Sequence, residues 1–157
     1  MFQPMRKKER EMSRPEAEEI LAKGMYGVLS MHAGDDYGYG VPLSYVFQDN
    51  SIYLHWALEG KKLAYLRRHN KVTFCVVGEA DPVPDKYSMK YKSVIVFGRA
   101  IEVNNQEQKV KTLIDLVKKY YADPEHIEKG KEVAANFVDK TVVIRIEIDH
   151  LTGKAKG

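Results

Sequence analysis

From residue 39 to residue 47 every second side chain is apolar or aromatic. Tyr39, Val41, Leu43, Tyr45 and Phe47 form one set, and Gly40, Pro42, Ser44 and Val46 alternate with them. A period of two belongs to a strand that shows one face to a core. Pro42 has no N–H for a ladder, so the strand is expected to be interrupted there or to lie at a sheet edge. Asp49-Asn50 makes a tight turn, and residues 51–56 return as the second arm of a hairpin. Further strands are expected over residues 25–31, ended by the Gly34-Asp35-Asp36 turn cluster, and over residues 71–77 and 91–103. Gly98 marks a bulge or a close approach within the longest of these. The last strand, residues 141–149, ends in strict alternation, with Ile144, Ile146 and Ile148 set against Arg145, Glu147 and Asp149. Residues 81–85, Asp-Pro-Val-Pro-Asp, read as a loop.

The period lengthens elsewhere. Ser13-Arg14-Pro15-Glu16 is a capping box ahead of Ala17, Ile20 and Leu21, and Gly24 supplies a stop. Leu63, Leu66 and Arg67 predict a short helix running to His69-Asn70. Asn104 is expected to cap a helix carrying Val110, Leu113, Ile114 and Val117, and Pro124 to open another with Ile127, Val133, Ala134 and Phe137. About six strands joined mainly by hairpins, with helices inserted late, predict a mostly β, α+β protein with an antiparallel sheet. Closure into a barrel would remove the sheet's edges.

The length of 157 residues and the absence of any repeat or linker indicate a single domain over residues 1–157, led by a basic arm at residues 1–12. One cysteine, Cys75, excludes an internal disulfide framework and Cys-rich metal clusters. It alternates with Thr73 and Val77, which indicates packing and not reactivity. His32, His69, His126 and His150 lack metal-site spacing, so no metal is expected. Asp115, Glu128 and Glu132 are expected to face solvent. With no apolar leader and no run long enough to span a bilayer, a cytoplasmic protein away from membranes is the expectation. Twenty-five basic against 22 acidic side chains give a net charge of +3, too balanced for a nucleic-acid face. The run Arg6-Lys7-Lys8-Glu9-Arg10 is then a solvated tail or a clamp on a partner subunit.

Three segments carry polar groups that a core would not choose: residues 42–46, 55–63 and 91–100. In the second, a strand ends at Trp56, Gly60 turns the chain, and Lys61 and Lys62 open a helix. Free N–H groups, the helix dipole and adjacent ammonium groups favour a phosphate there, although lysines at a helix start are commonly just solvated. Ile52, Leu54 and Trp56 share the apolar face, which leaves Tyr53 and His55 outside the core. A lone histidine is more often a structural hydrogen-bonder than a catalyst.

The segments Pro42-Leu-Ser-Tyr-Val46, Ile52-Tyr-Leu-His-Trp-Ala57, Glu59-Gly-Lys-Lys62, Ser93-Val-Ile-Val-Phe-Gly-Arg-Ala100 and Ile146-Glu-Ile-Asp-His-Leu-Thr-Gly-Lys154 run in order along nearly the whole chain. Together they resemble the FMN-binding split-barrel family related to pyridoxamine 5′-phosphate oxidase. Within it they are most similar to the nitroimidazole-resistance, nitroreductase-like branch, as is the lead Met5-Arg-Lys-Lys-Glu-Arg-Glu-Met12. The resemblance implies a six-stranded antiparallel split β-barrel with peripheral helices, and a homodimer holding FMN at its interface. It places Leu43, Ser44 and Tyr45 beside the isoalloxazine ring, largely through backbone groups, and His55 and Ala57 beside the ribityl chain or ring edge. It gives the phosphate to Lys62 with help from Lys61, and has Ser93 and Tyr91 come from the partner chain. The Arg-Leu-x-x-x-Arg signature of true pyridoxamine phosphate oxidases is missing, which disfavours vitamin B6 oxidation. The implied activity is an FMN-dependent oxidoreductase using NAD(P)H or another donor to reduce a small planar acceptor, nitroimidazoles or nitroaromatics among them. His55 would orient or protonate the substrate, and Tyr45 would add a second polar contact. The alternative is a flavin- or haem-binding protein without turnover, with His55 as an axial ligand in the haem case.

Overall fold

A computed structural model describes residues 2–157. The arm leads through a short 3₁₀ turn to α1 (Arg14–Lys23), which carries the expected capping box: Ser13 accepts from the Glu16 N–H and the Glu16 carboxylate reaches back to Ser13. There follow β1 (Gly27–His32), β2 (Gly38–Leu43), β3 (Val46–Gln48), β4 (Ser51–Ala57), α2 (Lys61–Arg68), β5 (Lys71–Val83), β6 (Ser88–Glu102), α3 (Gln106–Tyr120), α4 (Pro124–Phe137) and β7 (Thr141–Lys156). All seven strands join one antiparallel sheet in the order β2-β1-β5-β6-β7-β4-β3.

That order contains the closure. β2 and β3 occupy opposite edges of the sheet, yet only Ser44 and Tyr45 separate them in the chain. The sheet must therefore curl until its edges meet, and the barrel is split at this corner. The alternation over residues 39–47 anticipates one strand, whereas the structure holds two, because the chain bends at Ser44-Tyr45 to pass from one edge to the other. Pro42 is no break. It pairs with Val28 in β2, an edge strand with a single neighbour, where a missing N–H costs no ladder bond on the free side.

Two expectations are corrected at the strand ends. Residues 81–85 are not wholly a loop, since β5 continues to Val83, with Asp81 opposite Lys90 and Pro82 opposite Met89. β1 pairs with β5 only at Thr73, Phe74 and Cys75, so beyond them the β5–β6 ribbon projects with a free side that accommodates the proline. Likewise β7 runs on from Asp149 to Lys156, which places Thr152, Gly153 and Lys154 opposite Ile95, Val94 and Ser93. The α3 cap is Asn105, one residue later than expected; its side chain accepts from the Gln108 N–H.

The barrel interior is filled by alternate residues of every long strand, Leu29, Ile52, Leu54, Phe74, Val76, Val94, Val96 and Ile146 among them. Trp56 also faces in, as the pattern of β4 requires. Gly98 answers to close approach: the β6–β7 register shifts there, and an added Cβ would stand 2.4 Å from the Glu147 carbonyl oxygen. A second, smaller core lies outside the barrel. Leu113 and Leu116 of α3 and Ala134 of α4 pack with Val143 of β7, so the two late helices cover the outer face of the sheet around β7 and β3. No helix among the described residues is long and apolar enough to cross a membrane.

Candidate functional site

The split corner and the end of β4 come together beneath α3 and α4. A cavity of about 500 Å³ is walled by Leu113, Leu116, Val117, Ala134, Val133 and Phe137 and floored by Ser44, His55 and Thr141. His55 points away from the barrel, opposite to Leu54 and Trp56, as β alternation demands. It is open to the cavity, yet enough protein surrounds it for burial to lower its pKa below the ordinary 6.5. A neutral imidazole follows at physiological pH, with one ring nitrogen donating and the other accepting. Among the described residues no carboxylate, lysine or arginine lines this cavity. It suits a flat, uncharged body with a polar edge.

From His55 the chain runs through exposed Ala57 and Leu58 to Gly60 and the start of α2. This start differs from those of the other three α-helices. Ser13, Asn105 and Asp123 cap α1, α3 and α4 with side-chain hydrogen bonds, and each of those helices has a glutamate in its first turn. α2 has neither a side-chain cap nor a first-turn acid; Lys61 and Lys62 stand there instead. Cations at the positive end of a helix dipole are the wrong sign for stability, and uncapped N–H groups lack partners. Both deficits are offset when an anion binds. Gly60 has φ of +121°, which favours glycine, and an added Cβ would meet nothing within 4 Å, so the corner is open. The Lys62 ammonium lies 5.4 Å from the centre of the Trp56 ring.

The structure thus brings Ser44 and His55 to one cavity, whereas Ala57, Lys61 and Lys62 follow at the end of β4 and the start of α2 and do not line it. Leu43 ends β2 next to Ser44 in the chain, paired with Gly27 and packed against the barrel core. Tyr45 is a correction. Its ring is fully buried against Phe74, and its hydroxyl donates to the Leu21 carbonyl at 2.6 Å, so it offers no polar contact to a substrate. Burial also raises its pKa. Nor is its backbone free: its N–H donates to the Tyr120 hydroxyl (3.1 Å) and its carbonyl accepts from Lys119 (2.9 Å). Tyr91 and Ser93 lie on β6 and line neither this cavity nor the α2 corner within one chain.

Lys119 and Tyr120 are functional neighbours that the sequence did not single out. The Lys119 ammonium sits 3.8 Å from the centre of the Tyr45 ring, and desolvation lowers its pKa to about 8. The Tyr120 hydroxyl donates to the Met25 carbonyl at 2.6 Å. The end of α3 is thereby latched onto the Ser44-Tyr45 bend. Asp115 strengthens the attachment by accepting from Gln48 of β3, so it is not simply solvent-facing. The only sequence signal was the pair of polar residues ending an otherwise amphipathic helix.

Comparison with known proteins places the chain in a family. No curated protein is matched significantly. Among solved structures the fold is shared with a candidate 5-nitroimidazole antibiotic resistance protein from Bacteroides thetaiotaomicron (TM-score 0.78, 21% identity, covering 92% of this chain and 85% of that one). It is also shared with the flavocytochrome Anf3 from Azotobacter vinelandii (0.82, 17%, 98% and 72%) and with an FAD-binding protein from Mesorhizobium loti (0.68, 22%, 94% and 98%). At these identities the likeness is one of fold. The family described as pyridoxamine 5′-phosphate oxidase matches residues 13–155, and the chain belongs to that family.

Proposed function

We propose that this protein is an FMN-dependent oxidoreductase that reduces a small, uncharged, planar acceptor. The observation that carries the reading is the start of α2: an uncapped, doubly cationic, sterically open helix terminus that follows directly on β4, the strand bearing His55. Lys62, Lys61 and the first-turn N–H groups hold the phosphate. Leu43 and Ser44 border the ring, and Ala57 and His55 border the ribityl side. When bound, FMN supplies the redox chemistry. The neutral His55 imidazole orients the acceptor and holds or passes a proton at a ring nitrogen. The apolar wall of α3 and α4 excludes water and selects against charged substrates. The nitroimidazole connection of one structural neighbour supports nitroaromatics as the acceptor class.

A homodimer belongs to the same reading. Val28, Cys75, Ile95 and Thr152 form one cross-strand row on the outer face of β1, β5, β6 and β7. Ile95 remains 41% exposed, as does Val77 nearby at 59%, an apolar patch of the kind that marks an interface. A second copy seated there would carry Tyr91 and Ser93, which adjoin this patch on β6, toward the cofactor of its neighbour.

A second reading is binding without turnover, of flavin or of haem. It is favoured by a neutral histidine at the wall of an apolar cavity, which is what an axial iron ligand requires. The absorption spectrum of the purified protein separates these: flavin bands support the first reading and a Soret band the second. Reduction of the bound flavin by NAD(P)H and its reoxidation by a nitroaromatic would establish turnover. A flavin that stays oxidised with every donor would refute it.

A further inference from the structure

The strands that leave the barrel carry a second cationic cluster, away from α2. Arg10 of the N-terminal arm donates to the Tyr91 hydroxyl at 3.3 Å. Lys154 of β7 places its ammonium 5.6 Å from the centre of the same ring. Lys156 lies opposite Tyr91 in the β6–β7 register, and Lys154 lies opposite Ser93. The arm is tied in place: the Met12 N–H donates to the Gly153 carbonyl, and Glu11 bridges to Lys154 through the backbone.

The charges in this cluster are unbalanced. Among the described residues no carboxylate pairs with Lys154 or Lys156, and Arg10 has only Glu9, 3.9 Å away and 70% exposed. By contrast, Lys90 and Lys92 on the same strand are both matched by Glu79. Holding several like charges around one phenol is unfavourable unless an anion joins them. The Tyr91 phenol reports the field. Partial burial would raise its pKa, but hydrogen bonding and charge from Arg10 and Lys154 prevail and lower it.

We propose that Arg10, Tyr91, Ser93 and Lys154, with Lys156 at the margin, form a phosphoryl-binding site. The ligand is a phosphate ester or pyrophosphate: a compact dianion with several acceptor oxygens to match the guanidinium, ammonium and hydroxyl donors. The site extends the placement of Tyr91 and Ser93 and rests on the flavin reading only for the source of the phosphate. Two sources share this chemistry: the phosphate of a flavin held by the partner subunit, and that of a separate nucleotide such as the electron donor.

The test uses inorganic pyrophosphate as the probe, titrated calorimetrically into the full-length Lys62→Ala protein, in which the α2 corner is weakened. Arg10→Gln and Lys154→Gln, each added separately, are expected to weaken binding about tenfold or more, while Lys86→Gln leaves it unchanged. Pyrophosphate should also raise the pKa of the Tyr91 phenol, followed by ultraviolet absorbance. Pyrophosphate affinity equal in all these proteins, or a phenol that does not respond, overturns the proposal. Comparing FMN with riboflavin in the Lys154→Gln protein with Lys62 intact then names the source. Selective loss of FMN affinity assigns the phosphate to the flavin, and an unchanged FMN-to-riboflavin ratio assigns it to another nucleotide.

Discussion

At the scale of single residues, His55 and Tyr45 show how alternation decides chemistry. Both were singled out in the sequence, and the faces they occupy separate them. His55 projects from β4 opposite to the core residues Leu54 and Trp56 and reaches the cavity, whereas Tyr45 is consumed by the core and by α3. The alternation of residues 39–47 already put Tyr45 on the apolar face, so its burial was legible; its hydrogen bonds, which depend on Leu21 and α3, were not. The lowered pKa of His55 has a consequence for stability. Below pH 6.5 the unfolded chain takes up a proton that the folded chain resists, so stability falls with pH until the folded value is passed. Thermal midpoints measured from pH 7.5 to 5 should therefore fall more steeply for the wild type than for His55→Gln. Parallel profiles would show that His55 is not desolvated.

At the scale of elements, most boundaries followed local rules. The capping box of α1, the glycine before α2 and the hairpin of β3 and β4 were all visible in the sequence. What local patterns could not show was the division of residues 38–48 between two edges of the sheet, because a strand carries no mark of the neighbour it will find. The extension of β5 through Pro82 was hidden for the same reason, since a proline is excluded only where both sides of a strand are paired. The latch at the end of α3 is another long-range feature. Tyr120 serves the Tyr45 N–H and the Met25 carbonyl at once, joining α3 to the split corner. Tyr120→Phe leaves those groups without their partner and should cost about 1–3 kcal/mol in urea unfolding. It should also loosen Ser44, seen as weaker flavin binding with the outer-sheet patch intact. A variant as stable as the wild type would mean that water replaces the hydroxyl without loss.

At the scale of the whole molecule, the family and the barrel were legible because five short segments, in order along the chain, resemble those of one family, and the family match over residues 13–155 agrees. The assembly is a matter of surfaces, and the outer row of Val28, Cys75, Ile95 and Thr152 is where the account places the second subunit. Ile95→Glu puts a charge at the centre of that row. Sedimentation should then show monomers, and flavin affinity should drop with dissociation under the proposal that each site draws on both chains. A variant that stays dimeric would move the interface elsewhere.

The central claim is that the start of α2 anchors a phosphate. Titrating FMN and riboflavin into the wild type and Lys62→Ala tests it most directly. The wild type should prefer FMN, and Lys62→Ala should weaken FMN binding by about ten- to a hundredfold while leaving riboflavin binding unchanged, as expected for loss of a charge-assisted phosphate contact. Equal affinity of the wild type for FMN and riboflavin, or an FMN affinity indifferent to Lys62, would contradict it.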